Sequence, residues 1–475
     1  MIQKPEMIAP KNLSELEAQI RHDLEILDYP KRQWVRSRRT SEARDVLDVL
    51  VIGGGQSGLA VAFGLMREKI TNILVIDENT QGYEGPWRTF ARMNTLRTPK
   101  HLIGPDTGIP SLTIRSWYEA QNGFDSWESL RFIPKETWAS YLEWFRSFLQ
   151  IPLRSNTRAG ALEWLPGENC FAVPINRPIG LDVLYARKIV LSTGIDGSGR
   201  WDIPGFIKKN LPKSHYAHTR ERIDFEALAG KTVAVIGAGA SAFDNASVAL
   251  ESGAKAVHLF FRRPELVRSN PYRWAEFVGF LKHHSDLPDA QRWNFIMQLL
   301  EMGQLPPADT HQRANSFSNF EMHANTAWMH TSLRDDKVLI ETNTQAYEVD
   351  YVLLGTGFVT DLSLRRELAQ MHSLIALWKD RYTPPEEQRH EDLARHPYLG
   401  SSFEFQEKEP GTAPWLGNIF NFTFGGLPSM GFGGASISGM KYSLPKLVGG
   451  ITRQLYLEDA QEHFQSLCDY YQPEF

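Results

Sequence analysis

Two separate stretches of the chain read as strand, glycine turn, helix and strand: DVLVIGGGQSGLAVAFGLMREKITNILVIDEN from Asp48, and KTVAVIGAGASAFDNASVALESGAKAVHLFFRR from Lys231. In each, a short β-branched run ends at glycines, an amphipathic helix follows, and a second apolar run closes the unit. Parallel strands joined through one helix need a sheet covered on its faces, so each stretch predicts an α/β unit of its own. The two differ too much in sequence to form a short-period repeat, and no low-complexity linker separates them. The second unit is therefore expected to be inserted into the first.

The glycines say what such units would hold. Gly53 permits a tight turn out of the strand, Gly55 lets backbone approach a pyrophosphate, and Gly58 lets helix and strand pack closely. Gln56 and Ser57 open the helix, whose N-terminus would face the phosphates, and Asp77, followed by Glu78, ends the next strand where an acid accepts a ribose hydrogen bond. The second unit carries Gly237, Gly239, Ala240 and Ser241, with Ala242 replacing the third glycine. Its second strand ends in Arg262 and Arg263 instead of an acid, and planar guanidinium groups suit the 2′-phosphate of NADP. The expected fold class is thus α/β, with two Rossmann-like dinucleotide-binding domains and the NADP domain inserted in the FAD domain.

Two further glycine turns, at Gly194 after LST and at Gly357 after LLGT, bracket the second unit and are expected where the chain leaves and re-enters the first domain. Residues 1–44 are expected to be an N-terminal helical arm, with Leu13, Leu16, Ile20, Leu24 and Leu27 on one stripe. That arm would pack on the body or on a neighbouring subunit of a homo-oligomer. Residues 45–200 and 351–475 would form the two parts of the FAD domain, and 201–350 the NADP domain with a substrate-lining insertion. Near the C-terminus a glycine-rich stretch leads into a helix expected from Ser436 to Leu447, whose N-terminus would stabilise negative charge on a reduced flavin ring.

Composition excludes several classes. The 51 Lys and Arg are outnumbered by 56 Asp and Glu, so no basic field for nucleic acid is expected. No apolar run approaches the roughly 20 residues of a membrane span, and the first residues lack the apolar core of a signal peptide, so a cytoplasmic protein without membrane contact is expected. Two cysteines, Cys170 and Cys468, stand far apart with no C-x-x-C partner, which removes a redox disulfide. Neither His283-His284 nor His323 has neighbours at metal-ligand spacing, so no metal is expected.

With these motifs in place, the sequence resembles the class B flavoprotein monooxygenases, the superfamily of flavin-containing monooxygenases, Baeyer–Villiger monooxygenases and amine N-hydroxylases. The resemblance covers residues 45–450 and rests on the two glycine motifs, on Gly85-Pro86-Trp87-Arg88 and on Leu354-Gly-Thr-Gly-Phe358. It implies that Trp87 and Arg88 lie beside the cofactor. The family's Phe-x-Gly-x-x-x-His linker is only partly matched: His218 fits, but Pro212 and Ser214 stand where Phe and Gly belong. Lys100-His101-Leu102 is similar to the Lys-Asp-Leu segment of the N-hydroxylases, and Asn325-Thr326-Ala327-Trp328 to their Asn-Thr-x-Tyr segment. The resemblance implies an enzyme in which NADPH reduces FAD, the reduced flavin adds molecular oxygen as a C4a-hydroperoxide, and a soft heteroatom of a small-molecule substrate is oxygenated. It favours N-hydroxylation of a primary amine or amino acid, with catalytic roles for Lys100 and Asn325. Baeyer–Villiger or S-oxygenation, and a non-oxygenating NADPH-dependent flavoprotein reductase, are the alternatives.

Overall fold

The computed structural model describes residues 10, 12–101 and 103–475. The first glycine unit builds the centre of a nine-stranded sheet. Leu153–Arg154, Ile73–Ile76, Asp45–Ile52 and Gly180–Leu191 lie side by side and parallel. Gly180–Leu191 is bordered on its other side first by the antiparallel strand Cys170–Arg177 and then by the parallel strand Ile419–Asn421. The strand Asp45–Ile52 is buried almost throughout, as a central parallel strand covered on both faces must be. Its cover includes the helix Gln56–Arg67, on which the long C-terminal helix Ile437–Glu458 packs; a Cβ on Gly64 would meet Val448 Cγ2 at 2.9 Å. That helix runs past the expected end at Leu447 and contains Pro445.

The second unit forms a five-stranded sheet, all parallel, in the order Tyr216–His218, Tyr351–Leu354, Thr232–Ile236, Ala256–Phe260, Phe320–His323. It lies in sequence between Gly180–Leu191 and Ile419–Asn421 of the first sheet. The outgoing and returning chains pair with each other as the antiparallel strands Gly199–Trp201 and Phe358–Thr360, just beyond Gly194 and Gly357. The helix Asp289–Met302, within the second unit, buries Trp293, Ile296 and Leu299 against Trp378, Leu427 and Phe432 from the last third of the chain. The two units therefore share apolar contacts well away from the crossing strands.

The arm is the helix Leu13–Ile26, and it packs on the body: Leu16 and Ile20 join the large core, and Trp144 Nε1 donates to Glu17 Oε1 at 3.0 Å. It continues to Arg38–Arg39, which pair antiparallel with Val46 and Asp45 of the first sheet. Among the described residues no helix is long and apolar enough to cross a membrane.

Candidate active site

Three of the helices that lack a side-chain cap begin at the same cavity. Gly55 caps Gln56–Arg67, Gly239 caps Ala240–Glu251 and Ser436 caps Ile437–Glu458, none with a side-chain hydrogen bond to the first turn. Each N-terminus leaves backbone N–H groups without an intrahelical partner and carries the positive end of the helix dipole. The cavity, of about 970 Å³, runs from Gly53, Gln56 and Ser57 of the first unit to Ala240 and Ser241 of the second. Three converging N-termini make it a receptor for anionic groups.

Two positions of the first unit's turn, Gly53 and Gly58, admit nothing but glycine. Gly53 has φ +109°, and a Cβ there would lie 2.4 Å from Ser192 O; one on Gly58 would lie 1.9 Å from Gly53 O. The chain can thus leave the strand and enter the helix within three residues, which brings backbone, not side chains, to the cavity floor. Ser57 Oγ, at the start of the helix, donates to Gly434 O and so fixes the C-terminal glycine segment against the first unit.

Several buried polar atoms at the cavity wall have no partner among the described residues: Trp87 Nε1, Trp201 Nε1, Ser192 Oγ and Thr193 Oγ1. Orphaned buried donors cost stability unless a ligand or water meets them, so the wall is built for a polar ligand. Gly194 and Gly357 border the same space. Asp77 also borders it, but its oxygens already accept from Gly54 N at 2.8 Å and from Asn79 N and Nδ2 at 2.8 and 2.9 Å. Burial pushes the Asp77 carboxyl above its ordinary value, and those hydrogen bonds offset part of the effect. Glu78, half exposed at the rim, pairs with Arg366 at 3.0 Å and Arg158 at 3.2 Å.

Comparison with known proteins agrees with this architecture. The pyridine nucleotide-disulphide oxidoreductase family model matches residues 47–283. The FAD-dependent urate hydroxylase of Xanthomonas campestris pv. campestris is 41% identical over 466 residues, covering 98% of this chain and 97% of that protein. In fold, the chain is similar to the ornithine hydroxylase from Pseudomonas aeruginosa, with a TM-score of 0.67 at 16% identity over 87% of this chain and 99% of that one. It is likewise similar to L-lysine 6-monooxygenase from Pseudomonas syringae, with a TM-score of 0.64 at 17% identity over 86% and 99%. The chain belongs to the class B flavoprotein monooxygenases.

As a monooxygenase of this class it is a flavin-dependent oxidoreductase, and the family works with FAD, NADPH and molecular oxygen. The disulphide of the broader family has no counterpart, since Cys170 is buried and unpaired and Cys468 is exposed and unpaired. The glycine turns, the free helix N-termini and the orphaned donors fit two dinucleotides lying in one cavity.

Of the residues singled out in the sequence, Gly53, Gly55, Gln56, Ser57, Asp77 and Glu78 border the monooxygenase's cavity, as do Trp87, Gly194, Gly239, Ala240, Ser241, Gly357 and Ser436. Gly58 and Gly237 lie behind the two turns, against Gly53 O and Gly355 O. Arg88 borders a smaller pocket beside Gly54, Gly55 and Trp87 and donates to Glu143 Oε2 at 2.8 Å on the helix Lys135–Phe148. Arg263 donates to Glu301 O at 2.8 Å and Met302 O at 3.2 Å, where it closes the C-terminus of Asp289–Met302, while Arg262 is exposed. The Lys100 ammonium, almost buried, donates to Trp127 O at 2.7 Å and lies over the Trp127 ring, off the cavity; Leu102 is outside the described residues. Asn325 is exposed at φ +51°, with its carbonyl accepting from Asn343 Nδ2 at 3.0 Å. No described residue from 100 to 130 borders the cavity, and from 265–330 it receives Tyr272, Leu300 and Gln304.

Sequence reasoning missed the wall between the two units. Phe90, Trp201, Phe358 and Phe424 form a row of edge-to-face pairs with centroids 5.6, 5.9 and 5.1 Å apart. Arg220 lies over the Phe90 ring, 4.8 Å from its centroid. Nothing local marks these residues, because they come from four segments that meet only at the crossing strands. Behind the wall, Ser198, Asn421 and Thr423 exchange buried hydrogen bonds of 2.9–3.0 Å. His396 Nδ1 lies 3.0 Å from Gly425 O, and burial holds its pKa down to about 4, so the ring is neutral and donates there.

Proposed function

We propose that the enzyme hydroxylates a planar, anionic nitrogen heterocycle of the urate class, with NADPH as reductant. The observation that carries this reading is the aromatic wall with one cation, Arg220, that lies on it without a hydrogen-bond acceptor. Among the described residues Arg220 is a cavity-lining arginine whose guanidinium makes no hydrogen bond or ion pair; Arg92, Arg97, Arg365 and Arg366 are all engaged. Urate is flat, negatively charged at neutral pH and edged with carbonyl acceptors. It would stack against Trp201 or Phe358, set its charge by Arg220 and accept from the free Trp201 indole N–H. The full-length likeness to a urate hydroxylase supports the same class.

The reaction would consume one NADPH, one proton and one dioxygen per substrate, giving hydroxylated product, NADP⁺ and water. Bound FAD would supply the oxygen activation. The chain's own part is to hold both dinucleotides at the helix N-termini, orient the substrate ring on the aromatic wall and keep water from the reacting face. N-hydroxylation of an amine draws on Lys100 and Asn325, and both lie off the cavity.

The test is a screen of urate, xanthine, ornithine, lysine and a ketone for stimulation of NADPH oxidation, with mass detection of product. Urate or a close purine should give a product heavier by one oxygen atom, and Arg220→Ala should raise its KM about tenfold while FAD content holds. Stimulation by an amine alone, or peroxide as the only product with every purine, would overturn the reading.

A further inference from the structure

Outside the cavity, His258, Glu321 and His323 converge on the outer edge of the five-stranded sheet. His258 lies on Ala256–Phe260 directly opposite Glu321 on the edge strand Phe320–His323, and His323 follows Glu321 by two residues. The period of two along a strand puts all three side chains on one face. His258 Nδ1 is 3.1 Å from His323 Nε2 and 3.2 Å from Glu321 Oε2, and His323 Nε2 is 3.7 Å from that oxygen. A tetrahedral ion with bonds of about 2.0–2.1 Å separates its ligand atoms by about 3.3 Å, so this triangle is close to one face of such a site.

The surroundings hold the ligands in place. The His323 ring is stacked on Phe260 with centroids 4.6 Å apart, and its other nitrogen lies 3.3 Å from Tyr347 Oη. Tyr347 Oη accepts from Gln345 Nε2 at 2.8 Å and has a further lone pair for a proton on His323 Nδ1, which leaves Nε2 free to bind. The Glu321 side chain is 62% exposed, so a fourth position opens to solvent. Without an ion, a proton on His258 Nδ1 meets the free lone pair of His323 Nε2 across the 3.1 Å contact.

We propose that His258 Nδ1, His323 Nε2 and Glu321 Oε2 form a binding site for a divalent ion of the zinc class, completed by water. The incoming ion takes the place of that proton, which His258 then carries on Nε2 so that both rings bind as neutral imidazoles, and it ties the edge strand to its neighbour. Two imidazoles and one carboxylate suit zinc and its late first-row neighbours better than magnesium or calcium. The two histidines stand 65 residues apart in the chain, and local spacing therefore carries no trace of the site.

The test is calorimetric titration of chelator-treated holoenzyme with Zn²⁺, alongside His323→Gln and Glu321→Gln, with the metal-free thermal midpoint and FAD content checked for each. Wild type should bind one equivalent that each variant binds at least about tenfold more weakly, and Zn²⁺ should raise the thermal midpoint of wild type alone. Wild type without saturable binding, or variants binding as wild type does, would refute the site. If one variant fails to fold, the other decides.

Discussion

Arg97 Nη2 lies 2.5 Å from Asp244 Oδ2, and the pair ties the flavin-side chain to the fingerprint helix Ala240–Glu251 of the second unit. Thr310 Oγ1 donates to the other Asp244 oxygen at 3.1 Å. Both charged residues border the cavity, Asp244 almost fully buried and Arg97 partly open. Burial pushes the Asp244 carboxyl above its ordinary value, and Arg97 and Thr310 offset part of that. Asp244→Asn keeps the Thr310 contact but leaves the guanidinium unpaired between the units. The expected outcome is several-fold slower anaerobic flavin reduction by NADPH, with normal FAD content and a stability loss of about 1–3 kcal/mol, discounted for the exposure of Arg97. A reduction rate equal to wild type would show that the pair does not set the relation between the units.

The glycines of the two turns should respond differently to the same change. A Cβ on Gly58 would collide with Gly53 O at 1.9 Å, whereas one on Gly239 meets nothing within 4 Å and would project into open space. Gly58→Ala should lower FAD occupancy and thermal stability together. Gly239→Ala should fold with full FAD but raise the KM for NADPH, because its methyl group occupies room at the second helix N-terminus. Equal stability of the two variants would contradict the packing argument.

The two arginines after Phe261 separate in role. Arg263 closes the end of Asp289–Met302, so Arg263→Ala should lower stability by about 0.3–1 kcal/mol with little change in coenzyme choice. If Arg262, exposed at the strand end, meets the 2′-phosphate, Arg262→Ala should reduce the NADPH-over-NADH preference about tenfold. Ratios of kcat/KM for the two coenzymes decide; loss of preference in Arg263→Ala alone would reverse the assignment.

What the sequence disclosed and what it hid follow one physical line. The glycine turns are local devices whose geometry is dictated by residues a few positions apart, and Gly53, Gly55 and Gly239 all reach the cavity. The crossing points at Gly194 and Gly357 were legible because apolar runs precede them. Lys100 and Asn325 were read from short segments, and a segment does not say which way a side chain turns. Lys100 turns to the Trp127 carbonyl. The aromatic wall and the His258–Glu321–His323 cluster arise from pairings across tens to hundreds of residues, which only the sheet order brings together.

Three buried neutral imidazoles should weaken the fold as pH falls below neutral. Burial lowers His218, His284 and His396 from 6.5 to about 4. Each is neutral in the folded protein where the unfolded chain would protonate it, so the unfolded state binds more protons between those values. Their contribution is therefore fully present above pH 6.5 and declines as pH falls toward 4, by about 1.4 kcal/mol per pH unit for each proton taken up. Asp48, pushed by burial from 3.8 up to about 6, works in the opposite sense, as do the raised carboxyls of Asp77 and Asp244, and these offset part of the loss over the lower part of that window. His284 Nε2 lies 3.2 Å from Pro428 O, and a glutamine amide can donate there without taking up a proton. His284→Gln should cost some stability at neutral pH through lost ring packing, yet show a shallower fall in thermal midpoint between neutral pH and pH about 5. A fall as steep as that of wild type would mean that His284 is protonated in the folded enzyme, contrary to its burial.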